Sequence, residues 1–410
     1  MNSRPYTPLH QYDVTEKAVV SYLKKKGDLI TIATDKTTFL GFDGYIDLIY
    51  SLVSSRESPE EWTRMRTMKE FGSRIIDTAG SSCNIERVLK KDIAGGFAPN
   101  MARALENLGS QVILAAAMGK PDIKPLFTEF SDKVRLISIQ NHGTTVCLEF
   151  DDGKVMTTDF GSINSLTWDK ILETISRDEF IDLIEDSDAV GCGHWALVPN
   201  MNNFWEKMIQ EIFPSVSNTK SKYFMVDIAD ISKRSDKDVL KMLNLLHGVE
   251  TFMPTILSMN DRETIEVSNI FSRNSDIYGG KPLHPIREKS DFFDIGKRMN
   301  ELLDLSYITS HDPHFTTITT RKDHFWVTEG FTARPNYTTA AGDHYNAGIL
   351  LGLICGLAPY EALVLGNAVT AVFVRTGVSP AIRHANSFID NYFHYIEEDD
   401  NTFNLDSFTP

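Results

Sequence analysis

The feature that most constrains the fold is an alternation of short apolar runs with helical patterns, punctuated by glycine. Parallel strands need long crossover connections, usually helices, so this rhythm predicts a mainly parallel sheet covered by helices on both faces. The apolar runs are Val112–Met118, Ala189–Cys192, Tyr223–Ile228, Thr255–Met259 and Phe315–Thr320. The helical patterns are Ala94–Gly109, Asn202–Phe213, Lys237–His247, Phe292–Leu303 and Gly342–Gly356.

Four other segments complete the predicted organisation. Thr37–Tyr50 is predicted to be one buried strand, and Ser58–Lys91 is charged with a helical pattern. Thr144–Thr158 alternates apolar and polar residues around Asp152-Gly153, which predicts a β-hairpin that could serve as a lid. Asn274–Glu288 is the most loop-like internal stretch.

The chain ends are predicted to lie outside the main domain. Glu16–Lys26 has a weak helical pattern that Gly27 is expected to end, and the tail beyond 390 is acidic. We therefore divide the chain into a helical extension (1–36), a main domain (37–390, with roughly 144–158 in a β lid) and a C-terminal tail (391–410).

Charge and apolar content exclude several classes of protein. The 410 residues carry 41 Lys+Arg and 56 Asp+Glu, a net charge of −15, which argues against a nucleic-acid partner. The most apolar stretch, Ala347–Ala358, is about twelve residues long, and a membrane span needs roughly twenty. The four cysteines are widely spaced and are expected to be buried, reduced thiols. We expect a cytoplasmic protein with no membrane partner, and leave a homodimer open.

A run of small residues precedes the last predicted helix. Thr338-Thr339-Ala340-Ala341-Gly342 lets the backbone turn sharply into a helix whose first N–H groups and dipole face solvent. Such a helix start holds a phosphate oxygen or a developing phosphoryl charge. Asp343, in the first turn, could accept the proton of an attacking hydroxyl. The alternative is that Asp343 only complements the helix dipole.

A polar tetrapeptide, Asn260-Asp261-Arg262-Glu263, directly follows an apolar strand. Ligands of parallel sheets bind beyond the carboxyl ends of the strands. Asn260 and Glu263 would share one face of a helical turn and could hold magnesium through water. The alternative, which these residues alone favour, is a helix capping box.

Two further turns carry candidate substrate ligands. Gly96, after Gly95, permits close backbone approach to a ligand, and the amide of Asn100 can hydrogen-bond a polyol in both directions; a plain turn is the alternative. At the end of the first strand, the Asp47 carboxylate is the candidate for sugar hydroxyls, with Asp43 as the competing choice.

Two other residues could face the same edge. His194 follows the strand Ala189–Cys192, and a structural role is favoured for it. Asp227 ends the strand Tyr223–Ile228 and could face the site or simply begin a turn.

Taken in order, these motifs resemble the ribokinase-like (PfkB) carbohydrate kinases. Gly95-Gly96 with Asn100 is similar to the first signature of that family, and Thr338–Asp343 is similar to the second. Asn260–Glu263 matches its Asn-x-x-Glu motif. The resemblance spans about residues 37–389 and departs from the pattern at Tyr337 and Ala340, where the second signature usually has Asp and Gly.

The resemblance implies a three-layer α/β/α fold with a mainly parallel central sheet and a small β lid. It implies transfer of the γ-phosphoryl group of ATP to a sugar hydroxyl with Mg²⁺. The implied roles are Asp343 as general base; Ala340, Ala341 and Gly342 as the anion hole; Asp47, Gly96 and Asn100 as substrate ligands; and Asn260 and Glu263 as the magnesium pair.

Two alternatives to this function stay open, and a third is disfavoured. The departures at Tyr337 and Ala340 and a nucleotide loop without glycines, Thr319–Asp323, are compatible with a non-catalytic ligand-binding protein on a degenerate kinase scaffold. The strand end Gly41–Asp47 also resembles that of the ADP-dependent sugar kinases. An oxidoreductase is disfavoured because the glycine spacing is not that of a dinucleotide fingerprint.

Overall fold

The computed structural model describes residues 11–274, 283 and 289–408. Its centre is a nine-stranded sheet, whose strands lie in the order β14 (His324–Thr328), β13 (Phe315–Thr319), β12 (Tyr307–Asp312), β11 (Thr255–Asn260), β10 (Tyr223–Asp227), β9 (Ala189–Gly193), β1 (Thr37–Phe42), β5 (Gln111–Ala117) and β6 (Val134–Gln140). The first seven of these strands in the chain pair in parallel, and β13 and β14 are antiparallel additions at one edge. The predicted parallel sheet is confirmed.

The strands are β1 (Thr37–Phe42), β2 (Tyr45–Arg56), β3 (Trp62–Arg64), β4 (Arg87–Gly95), β5 (Gln111–Ala117), β6 (Val134–Gln140), β7 (Gly143–Phe150), β8 (Gly153–Asp159), β9 (Ala189–Gly193), β10 (Tyr223–Asp227), β11 (Thr255–Asn260), β12 (Tyr307–Asp312), β13 (Phe315–Thr319) and β14 (His324–Thr328). The helices are α1 (Gln11–Leu23), α2 (Lys26–Thr34), α3 (Met68–Asp77), α4 (Phe97–Asn107), α5 (Trp168–Leu172), α6 (Arg177–Glu185), α7 (Met201–Lys207), α8 (Asp236–Glu250), α9 (Asp261–Arg273), α10 (Lys289–Leu303), α11 (Ala341–Ile354), α12 (Pro359–Thr376), α13 (Ile382–Asp390) and α14 (Tyr392–Glu397).

Two hydrophobic cores form the three layers. On one face of the large sheet, α5 to α10 pack over side chains such as Phe42 and Val226. On the other face, α1, α4 and α11 to α13 pack over residues such as Leu40 and Leu114. Phe39 and Leu40 are adjacent on β1 and pack into the cores on opposite faces, as the alternation of side chains along a strand requires. The predicted three-layer α/β/α architecture is confirmed.

A small sheet of β2, β3, β4, β7 and β8 leaves the large sheet at the end of β1. Strand β2 pairs antiparallel with β4 and parallel with β7, and the predicted hairpin forms β7 and β8. Between β1 and β2 the chain passes through Gly44, where a Cβ would lie 2.1 Å from the carbonyl oxygen of Ala117. The small β sheet that serves as the predicted lid is thus present.

The structure corrects three predictions in the first hundred residues. Thr37–Tyr50 is not one strand, because Asp43 and Gly44 divide it between the two sheets. Ser58–Lys91 is not mainly helical: it holds one ten-residue helix, the whole of β3 and the first part of β4. The residues of β4 in this segment are mostly exposed, so they lack the apolar alternation that would indicate a strand. Gly27 does not end the first helix but lies inside α2.

Both described chain ends pack on the main domain. The Tyr22 hydroxyl donates to Asn386 at 2.7 Å, and the buried Tyr392 hydroxyl donates to the carbonyl of Thr328 at 2.8 Å. The division into extension, domain and tail stays a prediction. Most of the predicted loop Asn274–Glu288 lies outside the described residues.

Two further features bear on the sequence predictions. Cys147 and Cys192 are buried as expected, but Cys83 is exposed and Cys355 half-buried. Among the residues that the structure describes, none of the helices combines the length and the apolarity that a membrane crossing requires.

Candidate active site

A cavity of about 770 Å³ lies at the carboxyl ends of the large-sheet strands, beneath the lid. Its lid side is lined by Tyr45, Asp47, Thr145, Met156 and Thr158. The loops of the large sheet line the rest, including Gly96, Asn100, His194, Asp227, Asn260–Glu263, His311–Pro313, Glu329–Ala333 and Thr338–Asp343. Every predicted site residue lines this one cavity.

Asp343 lies in the first turn of α11 and is 4% exposed. Its Oδ2 accepts a 2.8 Å hydrogen bond from the Asn100 amide, and its Oδ1 lies 3.3 Å from His194 Nε2. Burial, together with the charge of Asp227, raises the pKa of Asp343 to about 6, although His194 and Asn100 oppose that rise. A carboxylate with a pKa just below neutrality is ionised at neutral pH yet basic enough to take a proton.

The turn before Asp343 leads into the N-terminus of helix α11. Ala340 is the N-cap residue of α11, and no side chain caps this helix. The Ala341 N–H donates to the carbonyl of Thr338 at 3.3 Å, which leaves the next N–H groups, those of Gly342 and Asp343, for a ligand. Ala340 adopts a left-handed conformation with φ +69°. An L residue with a Cβ pays about 1–2 kcal/mol for that conformation, which glycine does not.

We expect Ala340→Gly to stabilise the protein because it relieves this backbone strain. The expected gain in unfolding free energy is about 1 kcal/mol, since the greater freedom of glycine in the unfolded chain offsets part of the relief. Denaturant unfolding measures the change. Ala104→Gly, inside helix α4, is the matched control and should destabilise instead. If both variants lost the same free energy of unfolding, the result would contradict backbone strain at Ala340.

His194, for which the sequence favoured a structural role, lies at the centre of the site. Its Nδ1 is 3.5 Å from Asp43 Oδ2, and its Nε2 lies between Asp343 Oδ1 at 3.3 Å and Asp227 Oδ1 at 4.0 Å. Burial alone would lower the pKa of His194, but the charge of Asp343, with Asp43 and Asp227, holds it well above its ordinary value. The signal in the sequence was its place after β9, at the edge where the other candidates meet.

The two competing carboxylates of the first strand have different surroundings. Asp43 is fully buried and accepts hydrogen bonds from the backbone N–H groups of Phe97 and Ala98 at 2.8 and 2.9 Å, so it caps helix α4. Asp47 lines the cavity beside Gly95, where an added Cβ would lie 2.3 Å from its Oδ2. Burial raises the pKa of Asp47, against the influence of Thr145 and Lys154. Of the two carboxylates, only that of Asp47 lines the cavity.

Asn260 and Glu263 form the capping box that was the alternative to a metal pair. The Asn260 side chain accepts from the Glu263 N–H at 2.9 Å, and the Glu263 carboxylate accepts from the Asn260 N–H and amide at 3.0 and 2.7 Å. Glu263 still lines the cavity, 6% exposed. Burial beside Asp227 raises the pKa of Glu263 to about 8. A cation in the cavity would hold such a carboxylate ionised, so these residues fit a water-mediated Mg²⁺.

The lid touches the anion turn directly. Lys154, half-buried on β8, donates a 2.6 Å hydrogen bond from Nζ to Thr339 Oγ1. This contact brings a positive charge from the predicted hairpin to the turn that precedes Asp343. The lid therefore covers the cavity at the point where the helix N-terminus faces it.

The sequence model of the prokaryotic ketohexokinases matches residues 13–392, nearly the whole chain. The chain belongs to the prokaryotic ketohexokinase family. A ketohexokinase of Haloferax volcanii is 29% identical over 359 residues, which cover 87% of this chain and 92% of that protein.

Solved structures support the fold. The ribokinase of Arabidopsis thaliana complexed with ribose and ATP has a TM-score of 0.57 at 14% identity, covering 86% of this chain and 98% of the other. The ribokinase of Thermotoga maritima has a TM-score of 0.56 at 16% identity, covering 87% and 99%. The predicted ribokinase-like fold and the predicted class of enzyme, an ATP-dependent carbohydrate kinase, are confirmed.

Proposed function

We propose that this member of the family phosphorylates a ketohexose, with ATP as donor and Asp343 as general base. The observation that carries the proposal is the Asp343 carboxylate, which faces a cavity of about 770 Å³ at the N-terminus of a helix that no side chain caps. The similarity to a ketohexokinase supports the choice of sugar.

The residues suit an in-line transfer. A sugar bound between Asp47 and Asn100 would present a hydroxyl to Asp343. The hydroxyl oxygen bonds to the γ-phosphorus of ATP, the bond from that phosphorus to the bridging oxygen breaks, ADP leaves, and Asp343 takes the proton. The backbone N–H groups around Ala341 and Gly342 would stabilise the charge on the transferring group.

Magnesium would be held by Glu263 with Asn260, through water. When bound, it neutralises charge on the donor phosphates. Glu263 supplies a buried carboxylate in a fixed position, because two hydrogen bonds from Asn260 hold both of its oxygens. That fixed position suits an ion that keeps much of its water shell.

A substrate screen tests the function. The purified protein, ATP and Mg²⁺ are incubated with ketohexoses, aldohexoses and pentoses, and products are read by mass and by NMR for the position of the phosphate. We expect a monophosphorylated ketohexose as the main product. A preference for another sugar would overturn the choice of substrate, and a protein that binds ligands but phosphorylates nothing would favour the degenerate scaffold.

Glu263→Gln separates the metal role of Glu263 from its capping role. Glutamine keeps an acceptor for the backbone N–H of Asn260 but cannot also accept from the Asn260 side-chain amide, so the melting temperature should fall only slightly. The loss of charge should raise the Mg²⁺ concentration needed for half-maximal rate, by about tenfold for one charged ligand removed. Glu266→Gln, on the same helix and outside the cavity, is the matched control. An unchanged Mg²⁺ dependence would leave Glu263 as a cap only.

A further inference from the structure

A histidine surrounded by carboxylates is the feature of the cavity that the proposed transfer does not use. The groups that face the His194 imidazole come from separate elements: Asp43 from the β1–β2 turn, Asp227 from the end of β10 and Asp343 from α11. Asp47 on β2 and Glu263 on α9 act on it from further away. The ring of Phe97, at 5.8 Å between centroids, packs against the imidazole edge-to-face and fixes its plane.

We propose that His194 is a positioning residue for Asp343: its imidazolium orients one carboxylate oxygen and keeps that carboxylate ionised in a buried site. This inference rests on the proposed role of Asp343 as the base. Asn100 holds the other carboxylate oxygen at 2.8 Å, so the two contacts together fix the carboxylate plane.

Charge balance supports an imidazolium over a neutral ring. Three carboxylates within 4.0 Å of one imidazole would repel one another strongly without a cation among them. Two of these carboxylates, Asp227 and Asp343, and the imidazole of His194 each bring one atom within 4.8 Å of the others, which is also compatible with a metal ion. A protonated imidazole has no lone pair for a metal, so the two interpretations are exclusive.

The interpretation has a signature in the pH dependence of the reaction. Asp343 must be ionised to accept the proton, so activity falls as the pH falls through its pKa. Opposite charge at this distance lowers a carboxylate pKa by about 1–3 units, so removing the imidazolium should raise the pKa of Asp343. The acid limb of kcat/KM should then move to higher pH. A purely structural role would lower activity by the same factor at every pH.

The test compares His194→Gln with wild type between pH 5 and pH 9. Glutamine keeps an N–H donor without the charge. We expect the acid limb to move up by about 1 pH unit or more, with a loss of several-fold to about tenfold at pH 6 that shrinks as the pH rises. Sugar and ATP dissociation constants at pH 8 should change less than about threefold. His247→Gln, exposed on α8, is the matched control and should keep the wild-type profile. An unshifted acid limb would overturn the proposal.

A second measurement does not depend on turnover or on the stability of that variant. The ring nitrogens of His194 are followed by NMR in the free wild-type enzyme and in Asp343→Asn. We expect an imidazolium at pH 7 in wild type and a lower titration midpoint in Asp343→Asn. A neutral ring at pH 7 in the metal-free protein would overturn the proposal. If the His194 ring is charged but the Asp343→Asn variant retains turnover, the result would instead contradict the role of Asp343 as the base.

Discussion

Asp343→Asn should lose about 10²–10⁴-fold in kcat, because an asparagine cannot accept the proton of the attacking hydroxyl. That loss corresponds to roughly 3–5 kcal/mol in the barrier. Nucleotide affinity should survive, since the backbone N–H groups at the start of α11 remain and one negative charge beside the phosphates is gone. Initial rates with the sugar found in the screen, together with calorimetric titration of ATP, measure both quantities.

The stability of this variant should stay close to that of wild type. Losing a carboxylate from a helix N-terminus costs about 0.3–1 kcal/mol. Against this, the folded-state pKa of about 6 lies above the ordinary value of 3.8, so the ionised carboxylate weakens the fold as the pH rises through 6, and asparagine avoids that penalty. Asp169→Asn, in the exposed first turn of α5, is the control for the loss of a carboxylate from a helix N-terminus without the effect of burial. Near-normal turnover of Asp343→Asn would remove Asp343 from the base role.

The large sheet could be predicted because parallel strands buried on both faces are continuous apolar runs with clear ends. Thr255–Met259 is such a run, and the strand found there is Thr255–Asn260. The lid was harder to predict, because one face of its sheet is exposed to solvent and β4 carries exposed residues along most of its length. The split of β1 from β2 depends on Asp43, whose bonds to the start of α4 join residues more than fifty positions apart. No local pattern encodes such a contact.

The site residues also divide into those that the sequence could predict and those that it could not. Asp343, Asn260 and Glu263 stand beside recognisable turns, so their meeting in one cavity could be predicted from the rule that ligands bind at the carboxyl ends of strands. His194 has no motif around it, and its importance comes only from the three carboxylates that the fold brings to it. From the sequence, a capping box and a cavity-lining metal pair were two alternative interpretations of Asn260 and Glu263. In the structure these residues form the capping box and also line the cavity.

Asp47→Ala should weaken binding of the sugar about ten- to a hundredfold, which corresponds to ~1.5–3 kcal/mol for hydrogen bonds to a charged group. Asp47 lies on the lid side of the cavity, against the backbone of Gly95, so ATP affinity should be unchanged. Separate calorimetric titrations of the sugar and of ATP test this. A lost ATP affinity with an intact sugar affinity would contradict the assignment.

Asp43→Ala is the informative companion to that experiment, because the two carboxylates competed for the same role. Asp43 accepts two N–H groups at the start of α4 and lies 3.5 Å from His194, fully buried. Removing it leaves buried donors without partners, so Asp43→Ala should lower the free energy of unfolding by about 1–3 kcal/mol. Asp47→Ala should not lower the free energy of unfolding. Burial raises the pKa of Asp47 above its ordinary value, which means that the charged form of this side chain destabilises the fold. A ligand role for one aspartate and a capping role for the other therefore predict opposite pairs of results: lost sugar binding with normal stability for Asp47→Ala, and lost stability for Asp43→Ala.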